Sequence, residues 1–545
     1  MTACGSGNFL VIAYKELRKL EHAILERLAQ IDTRHQTLYA ESKINIESFY
    51  GLELDDFAVE VAILSLWIAK HQMNREFFEK FRLNIPLIPL KETGQVKQGN
   101  AARIDWNTIC SNNGDEEIYL IGNPPYAGTR DQTAEQKADY APVFGRRPFS
   151  KNLDYISLWF VKGAEYISGS RAELAFVTTN SVSRGEHVGL MFPMLFAMGV
   201  EIGFAYTAFK WVNNAKRNAV VTVAVISLRS ARPGPKYIHT DGVRIEAKNI
   251  NGYLAEGDDI YISRRAKPLG GAMPEMYFGN MALDGGGLIL TTAERAQLAQ
   301  SDPYALRFVR RMYGSKEYIH GLERYCLWIT EPELEEALSH PFIADRVERT
   351  REFRASRSDM GTKKKSATPW SFREQRSSRL ASILVPKTSS ERRDYVPIGF
   401  VDSSDVVSDL AFAVFDPEPW VFSLITSRMH MTWVKAVAGR KDNRLRYSNL
   451  IVYNNFPVAR LTASTKEQLT EAALRVLDVR EYHSEKTLAE LYDPDMMPDD
   501  LRLAHQELDD LVDSVYRKRG FDNDEERLSY LFGMYEQMTA EEKRK

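Results

Sequence analysis

An asparagine, two prolines and a tyrosine stand together at Asn123, Pro124, Pro125 and Tyr126, in YLIGNPPYAG, directly after a strand-like apolar run. Two consecutive prolines fix φ and remove two amide donors, so nearby carbonyls are left as acceptors, and the asparagine side chain adds another on a rigid mount. Such a mount suits a planar NH2 group, whose two hydrogens need two acceptors. The lone pair of an aromatic amine is delocalised into its ring. Holding both hydrogens tetrahedrally localises that pair and aims it at an electrophilic methyl group. Tyr126 is placed to stack on the ring. The amines of adenine and cytosine, the amide of a glutamine side chain and the guanine amine of ribosomal RNA all meet this description, and an ordinary Pro-Pro turn is the plain structural alternative.

The chain opens on a second candidate, MTACGSGNFL, in which Ala3, Cys4, Gly5, Ser6, Gly7 and Asn8 form a glycine-rich turn running into a helix. Turns of this kind aim backbone amides at a phosphate or a carboxylate. It is not the dinucleotide fingerprint: the residue three after Gly7 is Leu10, and the strand-end acid Glu53 follows Gly7 by 46 positions, where a dinucleotide fold places its acid at about 20. Glu53, in GLELDD, can hold two ribose hydroxyls, and Asp105, in ARIDW, can accept from a purine amine. A cap or turn role is the alternative for both, and is the one assigned to Asp55 and Asp56. Together the glycine turn, Glu53, Asp105 and the Asn-Pro-Pro-Tyr turn make an ordered series of strand ends.

These residues need a scaffold of alternating strands and helices. After the glycine turn, apolar residues recur at Phe9, Leu10, Ala13, Leu17, Leu20, Ile24 and Leu28, which predicts a helix packed on a sheet. INIESFYGLELDD reads as a strand ending in acids, FAVEVAILSLWIAKHQ as a helix, and NAARIDW and EEIYLIGNPPY as strand-and-loop units. LDYISLWFVKGAEYI is a helix before the strand AELAFVTTN, and IGFAYTAFKW and AVVTVAVISL form two adjacent strands. The pattern is a doubly wound α/β sheet with its ligands beyond the carboxyl ends of the strands. We place this domain at residues 1–229. Residues 230–457 are irregular, with short strands, many Gly and Pro, and aromatics among basic residues, and read as a separate mixed α+β domain. Residues 458–545 are helical in period, with a tail, EEKRK, expected to fray.

At 545 residues, 44% hydrophobic and 27% charged, the chain exceeds one ordinary core. No apolar run reaches the roughly 18 residues of a membrane helix, and the start lacks the layout of a signal peptide, so a cytoplasmic protein is expected. Three separated cysteines, Cys4, Cys110 and Cys326, without histidine clusters, predict neither a disulfide framework nor a metal site. The net charge is −3, yet residues 346–379 hold 11 Lys or Arg against 4 Asp or Glu, a local net of +7. A basic middle in an acidic chain points to a polyanion; a solvated loop is the alternative. Lys363, Lys364 and Lys365 are read as phosphate contacts, and Arg444 and Arg446, in GRKDNRLRYS, as residues that reach guanine edges, with ion pairs inside the domain as the alternative.

The order ACGSGNFL, GLELDDFAVEVA, ARIDW, GNPPYAG, LDYISLWFVKGAEY, FKWVNNAK resembles the γ-type amino-methylating DNA methyltransferases, which use S-adenosylmethionine. INGYLAEG, FGNMALDGGGLIL, GSKEYIHGLERYCLWI, SSERRDYVPIGF, MHMTWVKAVAGR, RYSNLIVYNNFP and LYDPDMMPDDLR resemble one branch of these, the MmeI-like (type IIL) restriction–modification enzymes, which join endonuclease, methyltransferase and target recognition in one polypeptide. The resemblance covers nearly the whole chain. It implies a Rossmann-like methyltransferase sheet, a target-recognition domain and a C-terminal helical region. It also implies a cofactor loop at residues 3–8 with Glu53 on the ribose and Asp105 facing the cofactor's adenine. Asn123 to Tyr126 then hold an adenine flipped out of duplex DNA, and Phe209, in preference to Trp211, stacks on the base's other face. In that family an aspartate and a proline precede Ala-Cys-Gly-Ser-Gly, where Met1 and Thr2 stand here. The first strand, an upstream cofactor segment, a helical connector and the nuclease are not seen, so a sheet lacking its first strand, an upstream polypeptide partner and no DNA cleavage by this chain are expected. A catalytically silent, truncated or split-gene DNA-binding protein is the alternative reading.

Overall fold

A computed structural model describes residues 2–31, 42–81, 95–211, 221–441 and 444–544. It divides into two compact units, one of Met1–Ser183 with His187–Tyr261, the other of Arg184–Glu186 with Ile262–Lys545.

In the first unit the glycine turn enters helix α1 (Asn8–Ile31), then strand β1 (Tyr50–Glu53), helix α2 (Asp56–Phe81) and strand β2 (Gln95–Gln98), which pairs in parallel with β1. Strand β3 (Tyr119–Gly122) begins a second sheet. Short helices α3 (Ala134–Ala138) and α4 (Tyr140–Phe144) lead to α5 (Ser157–Ile167), strand β4 (Glu173–Thr179), α6 (Glu186–Ala197), the long strands β5 (Val200–Trp211) and β6 (Val221–Ser230), and β7 (Lys236–Thr240) and β8 (Val243–Ala247). The order is β3-β4-β6-β5-β7-β8. The β3/β4 and β5/β7 pairs are parallel and the β4/β6, β5/β6 and β7/β8 pairs antiparallel. The sheet thus runs on past Arg229. β1 and β3 each end a sheet; among the described residues, β1 has on its free side only a parallel bridge from Thr2 to Leu52.

The six-stranded sheet is buried around β4 and β6, while β8 and the end of β5 are exposed. Helix α5 buries Leu158, Trp159, Phe160, Val161 and Ala164, and Phe160 meets Phe176 of β4 edge to face at 5.6 Å. Gly163 is required there, since a Cβ would come within 2.5 Å of Leu174. The β1–β2 layer differs. Its core is Leu10, Tyr14, Ala62, Leu66, Ala69, Met73 and Val96, but Leu17, Leu20, Ile24 and Leu28 of α1, expected to pack on the sheet, are exposed. The line that α1 buries is Leu10, Tyr14, Arg18 and His22. Arg18 turns inward because it finds partners there: it donates to the Tyr14 hydroxyl at 2.8 Å and to Asn74 Oδ1 at 3.0 Å, and pairs with Glu21. NAARIDW is a turn rather than a strand-and-loop unit: β2 ends at Gln98, and Asn100 accepts from the Ala102 amide through its side chain and from the Arg103 and Ile104 amides through its carbonyl, so the chain curls before Asp105.

Among the described residues, the second unit carries three small sheets. One orders Ile289–Leu290, Tyr325–Leu327, Val309–Tyr313 and Val406–Val407; another Gly399–Asp402, Ala381–Pro386, Ala411–Phe415 and Tyr277–Phe278; the third Thr388–Ser390, Arg444–Arg446 and Gly439–Lys441. Helices Thr292–Ser301, Pro341–Ala355, Trp420–Thr426 and Arg428–Val437 make this region more helical than its Gly and Pro content suggests. The chain closes with Ala463–Tyr482, Asp499–Tyr516 and Asp524–Arg544; the last is helical to Arg544, where fraying was expected. These helices are tied to the preceding segment by polar contacts: Asp509 accepts from the Tyr395 hydroxyl at 2.6 Å and from the Arg428 amide at 2.7 Å, and Asp524 pairs with Arg428 at 2.8 Å, while Arg527 and Asp513 join the last two helices to each other at 2.5 Å.

Candidate active site

The glycine turn is built by two left-handed glycines, Gly5 at φ +52° and Gly7 at φ +81°, with Ala3 at φ +62°. Gly7 has a packing reason as well, because a Cβ would lie 3.0 Å from Ala62 Cβ and 3.1 Å from its Cα on α2. A Cβ on Gly5 would meet nothing within 4 Å. The Cys4 amide donates to Leu52 O at 3.0 Å and the Gly7 amide to Cys4 O at 3.0 Å, which lays the turn along β1. Cys4 is buried, and burial together with the nearby Glu53 carboxylate pushes its thiol up to about 11. It is a packing group here rather than a nucleophile.

Glu53 leaves the carboxyl end of β1 and meets the turn directly. Its Oε2 accepts from the Gly5 amide at 2.6 Å, and its Oε1 from Leu54 at 2.8 Å and Asp55 at 3.3 Å. Asp55 accepts from Ala58 at 2.9 Å and so serves the start of α2, as assigned. Asp105 is exposed and accepts from the Asn107 amide at 3.0 Å, the cap of a single 3-10 turn. Lys162 of α5 fixes that turn: its ammonium donates to Ile104 O at 2.6 Å and Ala102 O at 3.3 Å, and burial lowers its pKa.

Asn123 follows β3 at its carboxyl end and is exposed; Pro124 is buried, and Pro125 and Tyr126 are exposed. The Asn123 amide has no hydrogen-bond partner among the described residues. The turn's far end is clamped by a residue that sequence reading passed over. Asp154, buried before α5, accepts from the Ala127 amide at 3.0 Å and from Ile156 at 3.2 Å, while Gln132 donates to Ala127 O at 2.9 Å and Leu153 O at 3.2 Å. The signal was there as an acid ahead of an apolar helix, in LDYIS. Phe209 and Trp211 stand half-exposed at the end of β5, ring centroids 6.3 Å apart; VNNAK after them lies outside the described residues.

In the second unit, Lys363, Lys364 and Lys365 cross from the helix Met360–Lys364 into a 3-10 turn, and Lys363 and Lys364 are exposed. The basic run around them is partly internal. Arg354 is fully buried and donates to five carbonyls, those of Ala282, Leu283, Lys365, Thr368 and Ser371, and buried Arg346 donates to Gly286, Gly287 and Ile289 and pairs with Glu294. Arg444 and Arg446 flank buried Leu445 on the central strand of the three-stranded sheet, so both lie on one exposed face.

A loop of backbone amides facing a strand-end acid, with an exposed asparagine on a proline mount in the same α/β unit, defines a methyltransferase fold coupled to a second unit. Comparison with known proteins names the family. Residues 2–240 match the MmeI DNA-methyltransferase domain, residues 256–460 the MmeI target recognition domain and residues 462–542 the MmeI C-terminal domain. The chain is 43% identical over 544 residues to DNA methyltransferase A of Bacillus subtilis (strain 168), an alignment covering 98% of this chain and 61% of that protein. The solved type IIL restriction–modification enzyme MmeI, in complex with DNA, superposes with a TM-score of 0.86 at 36% identity, covering 99% of this chain and 72% of the other. The chain belongs to the MmeI-like, type IIL restriction–modification family. It spans about three-fifths of the length of the curated relative.

Proposed function

We propose that this chain transfers the methyl group of S-adenosylmethionine to the exocyclic amine of an adenine flipped out of duplex DNA, as the modification arm of a restriction–modification system. The observation that supports it most is the Asn123 turn: an unpartnered, exposed amide on a proline mount whose far end is clamped by Asp154.

The residues at the glycine turn suit the cofactor. Space is open where a Cβ of Gly5 would stand, and Glu53 already reads the turn through Gly5 N–H with oxygen lone pairs to spare for two ribose hydroxyls. Asp105 accepts from the cofactor's adenine amine. When bound, S-adenosylmethionine supplies an electrophilic methyl on a sulfonium. Asn123 Oδ1 and the carbonyls beside Pro124 and Pro125 accept both hydrogens of the target amine, Tyr126 stacks on the base and Phe209 covers its other face. Extrusion of the base costs a few kcal/mol, offset by this stacking and these acceptors. Lys363, Lys364 and Lys365 neutralise phosphates and Arg444 and Arg446 read guanine edges. A further polypeptide segment adds a strand beside β1, where Thr2 has begun the pairing, and the protein works in the cytoplasm. Among the described residues no helix is long and apolar enough to cross a membrane.

The test is incubation with tritiated S-adenosylmethionine and duplex DNA, followed by nucleoside analysis. Label in N6-methyladenine is expected; label in N4-methylcytosine, or none above background with the relative's remaining segment supplied, overturns the reading.

A further inference from the structure

The Asp105 turn follows β2 and the Asn123 turn follows β3, and among the described residues no strand pairing joins β2 to β3. Side chains must therefore set where the two turns stand relative to each other. Methyl transfer tolerates little slack in that placement, since a displacement of about 1 Å can cost about 10²-fold in rate. Helix α5 supplies one tether, through Lys162 and through Tyr166, whose ring lies 6.1 Å from that of Trp106.

Asp139, buried between α3 and α4, supplies a second tether that reaches both turns. On one side its Oδ1 accepts from Arg103 Nε at 2.6 Å and its Oδ2 from Asn100 Nδ2 at 3.3 Å, both residues of the turn that runs into Asp105. On the other its Oδ2 accepts from the Tyr155 hydroxyl at 2.6 Å. Tyr155 holds the acceptor loop from behind: its amide donates to Ala127 O at 3.1 Å, and Asp154 beside it accepts from the Ala127 amide. The next residue, Tyr140, is bound to the same loop, donating to Leu153 O at 2.9 Å and accepting from Gln132 at 3.0 Å. Burial alone raises the Asp139 carboxyl, but the bonds from Tyr155, Arg103 and Asn100 outweigh it and hold the group below the ordinary carboxylate value, as an ionised bridge. We propose that Asp139 is a positioning residue that keys the Asp105 turn to the Asn123 turn, setting where the acid facing the cofactor stands relative to the acceptors of the target amine. This rests on the functional reading given above for the two turns.

Asp139→Ala leaves a buried hole and risks the fold, so the bridge is cut at its ends: Arg103→Ala, whose side chain is 53% exposed, and Tyr155→Phe, which removes one hydroxyl. The readout is native-state hydrogen exchange of the ligand-free full chain, by mass spectrometry of peptides covering residues 127–132, where the Ala127 amide is bonded to Asp154 and the Asp131 and Gln132 amides to Gly128 O. Each variant is expected to speed exchange there about fivefold with an unchanged melting temperature. The double variant speeds it no further than the faster single one, because both cut the same bridge. Arg171→Ala, which breaks an exposed pair with Glu117 in the same unit, leaves it unchanged. Unaltered exchange over 127–132 in Arg103→Ala, faster exchange confined to residues 100–108, or effects that add in the double variant overturn the inference. At saturating S-adenosylmethionine and DNA, Arg103→Ala lowers the single-turnover methyl-transfer rate about tenfold and changes either affinity by less than about twofold; an active chain whose Arg103→Ala rate is unchanged also overturns it. The exchange measurement uses no ligand, so a chain that shows the expected pattern yet labels no adenine fails the functional reading alone.

Discussion

The Asn-Pro-Pro-Tyr turn and the glycine turn sit in one unit but are supported differently. Asn123 leaves a strand paired along its length with β4, on which the apolar face of α5 packs, and Asp154 and Gln132 hold the loop from behind. The glycine turn leans on β1 through the Cys4 amide and one bridge at Thr2, and is closed by the Gly5–Glu53 contact. The acceptor turn is preorganised by a core. The glycine turn is organised by the very carboxylate proposed to hold the cofactor, so binding and loop order are linked there.

Breaking that contrast has its largest effect in the core. Phe160→Ala removes a fully buried ring under β4 and is expected to cost about 3–5 kcal/mol, read as a shift in denaturant midpoint. Leu20→Ala on the open face of α1 changes stability by no more than about 0.5 kcal/mol. Asn123→Ala lowers the methyl-transfer rate about 10²–10³-fold, the scale for loss of one preorganised polar contact to a reacting group, and leaves DNA affinity and melting temperature unchanged. Asp154→Asn, which retains an acceptor for the Ala127 amide, loses less than Asp154→Ala in the same assay.

A third region gives a pH test. Burial, with Asp513 nearby, pushes the Asp509 carboxyl up to about 7 against the opposing Tyr395, Arg428 amide and Arg428 charge. The unfolded carboxyl titrates near 3.9. The folded state therefore keeps a proton that the unfolded state releases, and this contribution to stability is full below about pH 4 and lost as pH rises through about 7. Asp509→Asn flattens the stability profile across that window; an unchanged profile refutes the assignment. The smallest effect is on salt dependence: K363Q/K364Q/K365Q flattens the slope of log affinity against log salt by up to about 0.9 per contact, on any DNA sequence. A loss confined to one sequence shows that these lysines are misassigned.

The methyltransferase unit was the more legible in the sequence. Asn123 to Tyr126 are local, and two prolines and a strand announce them whatever surrounds them. Gly5, Gly7 and Glu53 were legible for the same reason, and the Gly5–Glu53 contact across 48 positions follows from both lying at the same end of β1. What the pattern could not tell was which face of α1 is buried, because Arg18 is drawn inward by Tyr14 and Asn74, partners distant or unmarked in the sequence. Asp154 was missed since its partner is a backbone amide, which carries no residue type. In the recognition domain, a charge count overstates the free cations: the carbonyls that cage Arg346, and two of the five that cage Arg354, come from a loop more than 50 residues away in the chain.

The most direct test of the linkage at the glycine turn is calorimetric titration of S-adenosylmethionine into the chain, Glu53→Ala and Asn123→Ala. We expect one-site binding by the wild type, at least tenfold weaker in Glu53→Ala and unchanged in Asn123→Ala. No binding by the wild type, or equal affinity in Glu53→Ala, contradicts the account.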